Sequence, residues 1–306
     1  MASPTAQRAT PRSPVVRVGL VQMRCVDDAD ANLAKALDGI ADAARRGAKL
    51  VCLQELFRNP YPCQDEDPDR FDWAEPVPGP STEALGKAAA EHGVAIVASL
   101  FERRAPGLYH NTAALLDETG AVRARYRKLH IPDDPLYYEK FYFAPGDLGI
   151  PVERLAGAPV ATLVCWDQWY PEGARLAALG GAQILFYPTA IGWQHDVGGE
   201  VDTAQHAAWE TMQRSHAIAN GVFVVAVNRT GEERLPGSDA GIRFWGQSFV
   251  ADPFGRVIAK APADEEAVLV VECDLALVER TRRDWPFLRD RRIDVYADLA
   301  KRFRDD

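Results

Sequence analysis

No stretch of the 306-residue chain is apolar for the roughly 18 residues that a membrane-crossing helix needs, so no span is expected. Basic residues are in the minority, 35 against 44 acidic, for a formal net charge of −9. Phosphate binding needs a basic surface, so no nucleic-acid partner is expected. Cysteine is sparse, with five residues at wide spacings and no Cys-x-x-Cys pair. That removes zinc ribbons and dithiol redox motifs and points to a reducing, cytoplasmic setting. There the Asn228-Arg229-Thr230 sequon has no glycosylation meaning. The six histidines show no metal-ligand spacing, and no His-Glu-x-x-His occurs, so no metal is expected. A Gly-x-Gly-x-x-Gly fingerprint, a phosphate loop and a Gly-x-Ser-x-Gly elbow are also missing, which removes the common nucleotide and serine-hydrolase readings.

What remains is an ordinary globular composition, 47% apolar and 26% charged, ample for a core. Residues 1–14 are polar and rich in Ser, Thr and Pro, and are expected to form a disordered tail. Residues 15–306 are expected to form one domain. Apolar runs predict strands over 15–23, 49–53, 94–102, 160–164, 183–187, 222–227 and 268–271. Helical spacing follows the acidic caps at 27–30 and the one expected at Ser81. It recurs after Pro171 and over 203–220. Two connectors, Asp117-Glu118-Thr119-Gly120 and Asp252-Pro253-Phe254-Gly255, predict hairpins, so the sheets should be mixed. No internal repeat is visible. The end of the chain is rich in arginine from Arg280, and reads as a solvated or salt-bridged segment.

Three strand ends carry chemistry-bearing residues. Glu55 follows Val51-Cys52-Leu53-Gln54, Lys128 follows Arg125-Tyr126-Arg127, and Cys165 follows Val160-Ala161-Thr162-Leu163-Val164. Each alone has a bland reading: a cap, a solvated lysine, a buried core thiol. Together they supply a base, a cation and a nucleophile for attack on a carbonyl. A cysteine at a strand-to-helix turn projects into a cleft, with the backbone N–H groups that follow it aimed the same way.

Gln54-Glu55-Leu56-Phe57, the run from Tyr126 through Lys128-Leu129-His130 to Asp133, and Cys165-Trp166-Asp167 resemble the nitrilase superfamily of carbon–nitrogen hydrolases. Further matching stretches are Pro60-Tyr61-Pro62-Cys63-Gln64, Glu139-Lys140-Phe141-Tyr142-Phe143 and Phe186-Tyr187-Pro188-Thr189-Ala190-Ile191-Gly192. They narrow the resemblance to members acting on N-carbamoyl amines. The resemblance implies a four-layer αββα sandwich with two mixed sheets. It implies Glu55 as general base, Lys128 as transition-state stabiliser, Cys165 as nucleophile and Glu139 as a second acid near the lysine. The implied reaction converts N-carbamoylputrescine, or a similar cationic N-carbamoyl amine, to putrescine, ammonia and carbon dioxide through a carbamoyl thioester, without a cofactor. The Trp166 N–H is expected to donate to the oxyanion. Tyr61, Asp167, Trp169 and Trp193 are expected around the substrate. Asp167 has a second reading, as a helix cap or a support for Lys128. Asp134 and Leu136-Tyr137 depart from the glycine-containing version expected in plant members, and the 234–242 loop is left unplaced. A homodimer or larger homo-oligomer is implied, with the C-terminal segment at the interface. Rival readings are a nitrilase, an aliphatic amidase, a ureidopropionase-type enzyme, or a non-catalytic scaffold of this fold.

Overall fold

The structure, a computed structural model, describes residues 15–194 and 200–305. The expected N-terminal tail lies outside the described residues. In chain order the first elements are β1 (Val15–Gln22), α1 (Ala29–Arg45), β2 (Leu50–Leu53), α2 (Pro80–His92), β3 (Ala95–Ala105), β4 (Leu108–Leu116) and β5 (Val122–Arg127). A single turn, α3 (Glu139–Tyr142), leads to β6 (Glu153–Leu155), β7 (Ala158–Thr162), α4 (Pro171–Leu179), β8 (Ile184–Pro188), β9 (Gly192–Gln194) and α5 (Glu200–Asn220). The chain continues as β10 (Phe223–Val227), β11 (Thr230–Arg234), β12 (Gly241–Trp245), β13 (Phe249–Ala251), β14 (Val257–Lys260), β15 (Ala267–Asp274) and α6 (Leu275–Asp284).

Among the described residues the strands form two six-stranded sheets, ordered β15-β1-β2-β3-β4-β5 and β14-β13-β10-β8-β7-β6. A smaller sheet, β11-β12-β9, lies apart from them. Both large sheets are mixed. In each, three parallel strands (β1-β2-β3 and β7-β8-β10) carry one antiparallel strand on one side and two on the other. Helices α1 and α2 link the first trio, and α4 and α5 the second. The two sheets therefore share one strand arrangement, although the lone antiparallel strand is β15 from the end of the chain in one and β6, directly before β7, in the other, and the sequence shows no repeat. A buried strand asks only for apolar residues on both faces, so the same arrangement can be encoded by unrelated residues.

Strand alternation builds the four layers. Val18, Leu20, Leu50 and Cys52 face Ile184, Phe186, Val225 and Val227 between the sheets. Their alternates Val21, Val51 and Leu53 meet Ala36, Ile40 and Ala43 of α1 on one outer face. Leu185, Tyr187, Val224 and Ala226 meet Ala174 and Ala177 of α4 and Trp209 of α5 on the other. This is the αββα sandwich.

Several boundaries differ from the sequence reading. Helix α2 is capped by Gly79 rather than Ser81, because Pro80, which has no N–H to satisfy, takes the first helical position. Thr82 Oγ1 then accepts the Gly79 N–H at 2.7 Å. Strands β3 and β4 form an unexpected hairpin across Pro106-Gly107, where Gly107 has φ +75°. The expected loop at 132–149 contains α3, and the unplaced 234–242 stretch joins β11 to β12. The arginine-rich end begins inside α6, capped by Asp274. Several of its surface arginines are ion-paired, such as Arg283 with Glu279 at 2.7 Å. Arg282 instead turns inward, donating to the Asn220 and Ala182 carbonyls at 3.1 Å each.

Candidate active site

Glu55 stands just past β2, Lys128 just past β5, and Cys165 three residues past β7. The carboxyl ends of strands are where open α/β sheets collect their ligands. The structure brings these three together with Glu139 from α3. Lys128 Nζ lies 2.8 Å from Glu55 Oε1 and 2.8 and 2.7 Å from the two Glu139 oxygens, and all three side chains are fully buried. Asn111 Nδ2 donates to Glu55 Oε1 at 2.7 Å, and Tyr61 OH to Glu139 Oε1 at 2.6 Å. Glu55 Oε2 is buried and has no partner. An unsatisfied buried carboxylate oxygen costs stability and calls for a functional reason.

Cys165 has φ +42°. Left-handed backbone at a residue bearing a Cβ is strained, and such strain gathers at functional sites. Asp167 holds the turn. Its Oδ2 accepts the Val164 N–H at 3.0 Å, and its own N–H donates to the Val164 carbonyl at 3.0 Å. The same carboxylate accepts Tyr126 OH at 2.6 Å and the His130 N–H at 2.9 Å, and lies 2.7 Å from His130 Nδ1. Tyr126 and His130 flank Lys128, so Asp167 ties the cysteine turn to the lysine strand end.

Burial pushes the Cys165 thiol well above its ordinary value, and Glu55 adds to that while Lys128 opposes it. A thiol so held is neutral at rest, and acts as a nucleophile only where a base takes its proton. Burial alone would lower Lys128, but the Glu139 and Glu55 carboxylates outweigh it and hold the lysine well above its usual range. Lys128 is an ammonium. Burial lifts Glu139 to about 7; Lys128 resists the shift and Glu55 reinforces it.

A pocket of about 280 Å³ opens over Cys165, lined by Trp166, Tyr137, Glu139, Ile191 and Gly192, with Asp134, Pro135, Gln194 and Gln205 further out. Four residues expected around the substrate are not in this lining. Asp167 is fully buried with both oxygens engaged by internal donors. Tyr61 lies behind Glu139 and packs at a tilt against Tyr137, ring centroids 5.7 Å apart. Trp169 packs edge-on against Trp166 at 6.4 Å. Trp193 alternates with Gly192 and Gln194 along β9, so those two face the pocket while Trp193 packs on Trp245 at 6.0 Å.

Two supporting groups were not singled out in the sequence. Asn111 is a buried amide between His110 and Thr112 of β4. Its Oδ1 accepts Ser99 Oγ at 2.9 Å, and that Oγ in turn accepts the Leu56 N–H at 3.2 Å. Arg229, dismissed as part of a meaningless sequon, is fully buried. It donates to the carbonyls of Glu55 (3.1 Å), Leu56 (2.8 Å) and Asn59 (2.9 Å), and pairs with Glu233 at 2.6 Å. It stands just past β10, so it braces the Glu55 turn of one sheet from the other. No local sequence signal marks that contact, which spans some 170 residues.

Fold and cluster define a class: a thiol hydrolase on an αββα frame, with a lysine held between two carboxylates. Residues 17–283 match the carbon–nitrogen hydrolase family, and the chain belongs to it. It is 42% identical over 288 residues to an N-carbamoylputrescine amidase of Solanum lycopersicum, covering 93% of this chain and 95% of that one. It is 36% identical to a citrullinase of Francisella tularensis, covering 94% and 99%. The crystal structure of a carbon–nitrogen hydrolase from Helicobacter pylori G27 superposes with a TM-score of 0.92 at 44% identity, covering 95% of this chain and all of that one.

Proposed function

We propose that the protein hydrolyses the ureido carbon–nitrogen bond of N-carbamoylputrescine or a close N-carbamoyl amine. The observation that carries this is the unpartnered Glu55 Oε2 in a buried cluster beside a strained, neutral Cys165. Glu55 takes the thiol proton and the sulfur attacks the ureido carbonyl. Two of the Lys128 N–H groups rest on one carboxylate, Glu139, so one can turn to the oxyanion while the other stays. The Trp166 N–H is the second donor; a donor of this kind contributes ~3 kcal/mol to the barrier. Glu55 then protonates departing ammonia. It next deprotonates the water that splits the carbamoyl thioester, and the carbamic acid released yields carbon dioxide and free amine. Glu139, Tyr61 and Asn111 keep Lys128 and Glu55 aimed, and Asp167 positions the elbow and Lys128 rather than reading substrate. No step calls for a metal or organic cofactor.

The amine half of the substrate follows from the relatives' stated activity and from the acidic pocket mouth at Asp134. Ammonia release from N-carbamoylputrescine, an N-carbamoyl amino acid of similar length, a simple aliphatic amide and a nitrile separates the rival readings. N-Carbamoylputrescine should give the highest kcat/KM. A higher value for the carboxylate-bearing substrate would replace this reading with a ureidopropionase-like one, and turnover of none of the four would leave a scaffold.

We further propose a homodimer or larger homo-oligomer. Leu176 and Leu179 of α4 are more than half exposed, as are Ile293, Leu299 and Phe303 of the C-terminal segment. Leu176, Leu179 and Leu299 line a groove between α4, α5 and that segment. Single exposed apolar residues are ordinary, but a contiguous patch marks an interface. The five free thiols fit the expected cytoplasmic compartment, and among the described residues no helix is long and apolar enough to cross a membrane.

A further inference from the structure

The substrate class proposed above carries its positive charge at the end remote from the ureido group. Asp167 does not meet that charge, because its oxygens are occupied inside the protein. Among the described residues the pocket lining holds two carboxylates, Glu139 and Asp134. Glu139 is tied to Lys128 and Tyr61. Asp134 is exposed at the mouth, and among the described residues its carboxylate has neither an ion pair nor a hydrogen bond. Its neighbour Asp133 faces Lys140 at 3.9 Å and is not part of the lining.

Asp134 is also held in place. The Tyr137 N–H donates to the Asp134 carbonyl at 2.8 Å, closing a tight turn in which Leu136 has φ +64°. A leucine stays in that conformation only where its surroundings enforce it. The Tyr137 hydroxyl accepts the Gly192 N–H at 3.0 Å and lies 3.2 Å from the Gly192 carbonyl. Gln194 Nε2 donates to the Pro135 carbonyl at 2.7 Å. The turn is thus pinned to β9, and the carboxylate it presents has no internal partner to give up when a cation arrives. Holding a charge ready in this way reduces the ordering cost of binding.

We infer that Asp134 is the specificity-determining residue that receives the distal ammonium of the substrate at the pocket mouth. This rests on the proposed function. Tyr137 and Ile191 share the lining with Asp134 and Cys165 and offer apolar surface to the methylene chain. The ammonium then draws the chain across the pocket while the ureido carbon sits over the sulfur.

The test compares the wild type with Asp134→Asn and Asp134→Lys on two substrates, N-carbamoylputrescine and N-butylurea, which lacks the ammonium. Asp134→Asn should lower kcat/KM for N-carbamoylputrescine about fivefold, mostly through KM, because exposed ion pairs are modest. Asp134→Lys should lower it about tenfold further by like-charge repulsion. N-Butylurea should be unaffected by either change, and the wild-type preference should shrink at high salt. Iodoacetamide labelling of Cys165 at the wild-type rate would confirm an intact site. Equal losses on both substrates would overturn the inference and make the turn a support for catalysis. No loss on either, with the wild type still preferring N-carbamoylputrescine, would overturn the inference and leave the proposed function standing. A wild type indifferent between the two substrates would overturn both.

Discussion

At the scale of single residues, the site is three charges and a thiol enclosed where water does not screen them. With Glu55 and Glu139 ionised and Lys128 protonated, the cluster holds a net negative charge beside Cys165, and that charge resists thiolate formation. The sign of each substitution follows. Above about pH 7, where Glu139 is ionised, Glu139→Gln removes a charge that raises the thiol, so iodoacetamide should alkylate Cys165 faster than in the wild type. Lys128→Met removes the one charge that lowers it, so alkylation should slow. Below pH 7 Glu139 is already protonated, and the Glu139→Gln effect should fade. Both variants should nonetheless lose turnover, because Lys128 loses its aim in one and is absent in the other. Alkylation as a function of pH, read beside kcat, checks the pair. Equal alkylation rates in all three proteins would mean that these charges do not reach the sulfur.

At the scale of elements, each group of the proposed site owes its position to the turn that follows its strand. After β5 the chain is closed by Gly146, whose N–H donates to the Lys128 carbonyl at 2.8 Å. A Cβ at Gly146 would lie 2.0 Å from the Arg127 carbonyl oxygen, a contact with backbone that no side-chain rotation relieves. Gly146→Ala should therefore shift Lys128, cost about 1–3 kcal/mol of stability and lower kcat about tenfold or more, since ångström misplacements act strongly on catalysis. A thermal melt and steady-state kinetics measure both; unchanged kcat would mean that the end of β5 is not what aims the lysine. β2 and β7 were legible in the sequence as apolar runs leading to Glu55 and Cys165, and β5 through the polar, Gly-ending connector that predicts its hairpin. Pro171 likewise marked the start of α4. The third sheet was not legible. β9, β11 and β12 are short, and polar residues such as Gln194, Glu232 and Arg243 interrupt them, so neither an apolar run nor a clean alternation marks them. The role of Asp167 was also hidden. Its partners Tyr126 and His130 lie about forty residues away, and only the folded pairing of the β5 and β7 ends reveals that they meet.

At the scale of the molecule, the active site is a product of the junction between two similar halves. Glu55 and Lys128 come from the first sheet and Cys165 from the second, while Arg229 and Asp167 each lock an end of one to the other. The chemistry depends on that junction, and the proposed oligomer on a different face. Sedimentation velocity should show at least a dimer. Replacing Leu176 and Leu179 with Glu should shift it toward the monomer, because those side chains would then place charge in an apolar interface. A wild type that stays monomeric at micromolar concentration would leave the C-terminal face unexplained.

The account turns on Cys165 forming a covalent bond to the ureido carbon. Intact mass after a rapid quench of the wild type with N-carbamoylputrescine measures it directly. An adduct on Cys165 weighing one substrate minus one ammonia is expected, and it should be absent in Cys165→Ala, which should be folded and inactive. A Cys165→Ala variant that kept a tenth of the wild-type turnover, or a wild type that turned over with no adduct at any quench time, would contradict it.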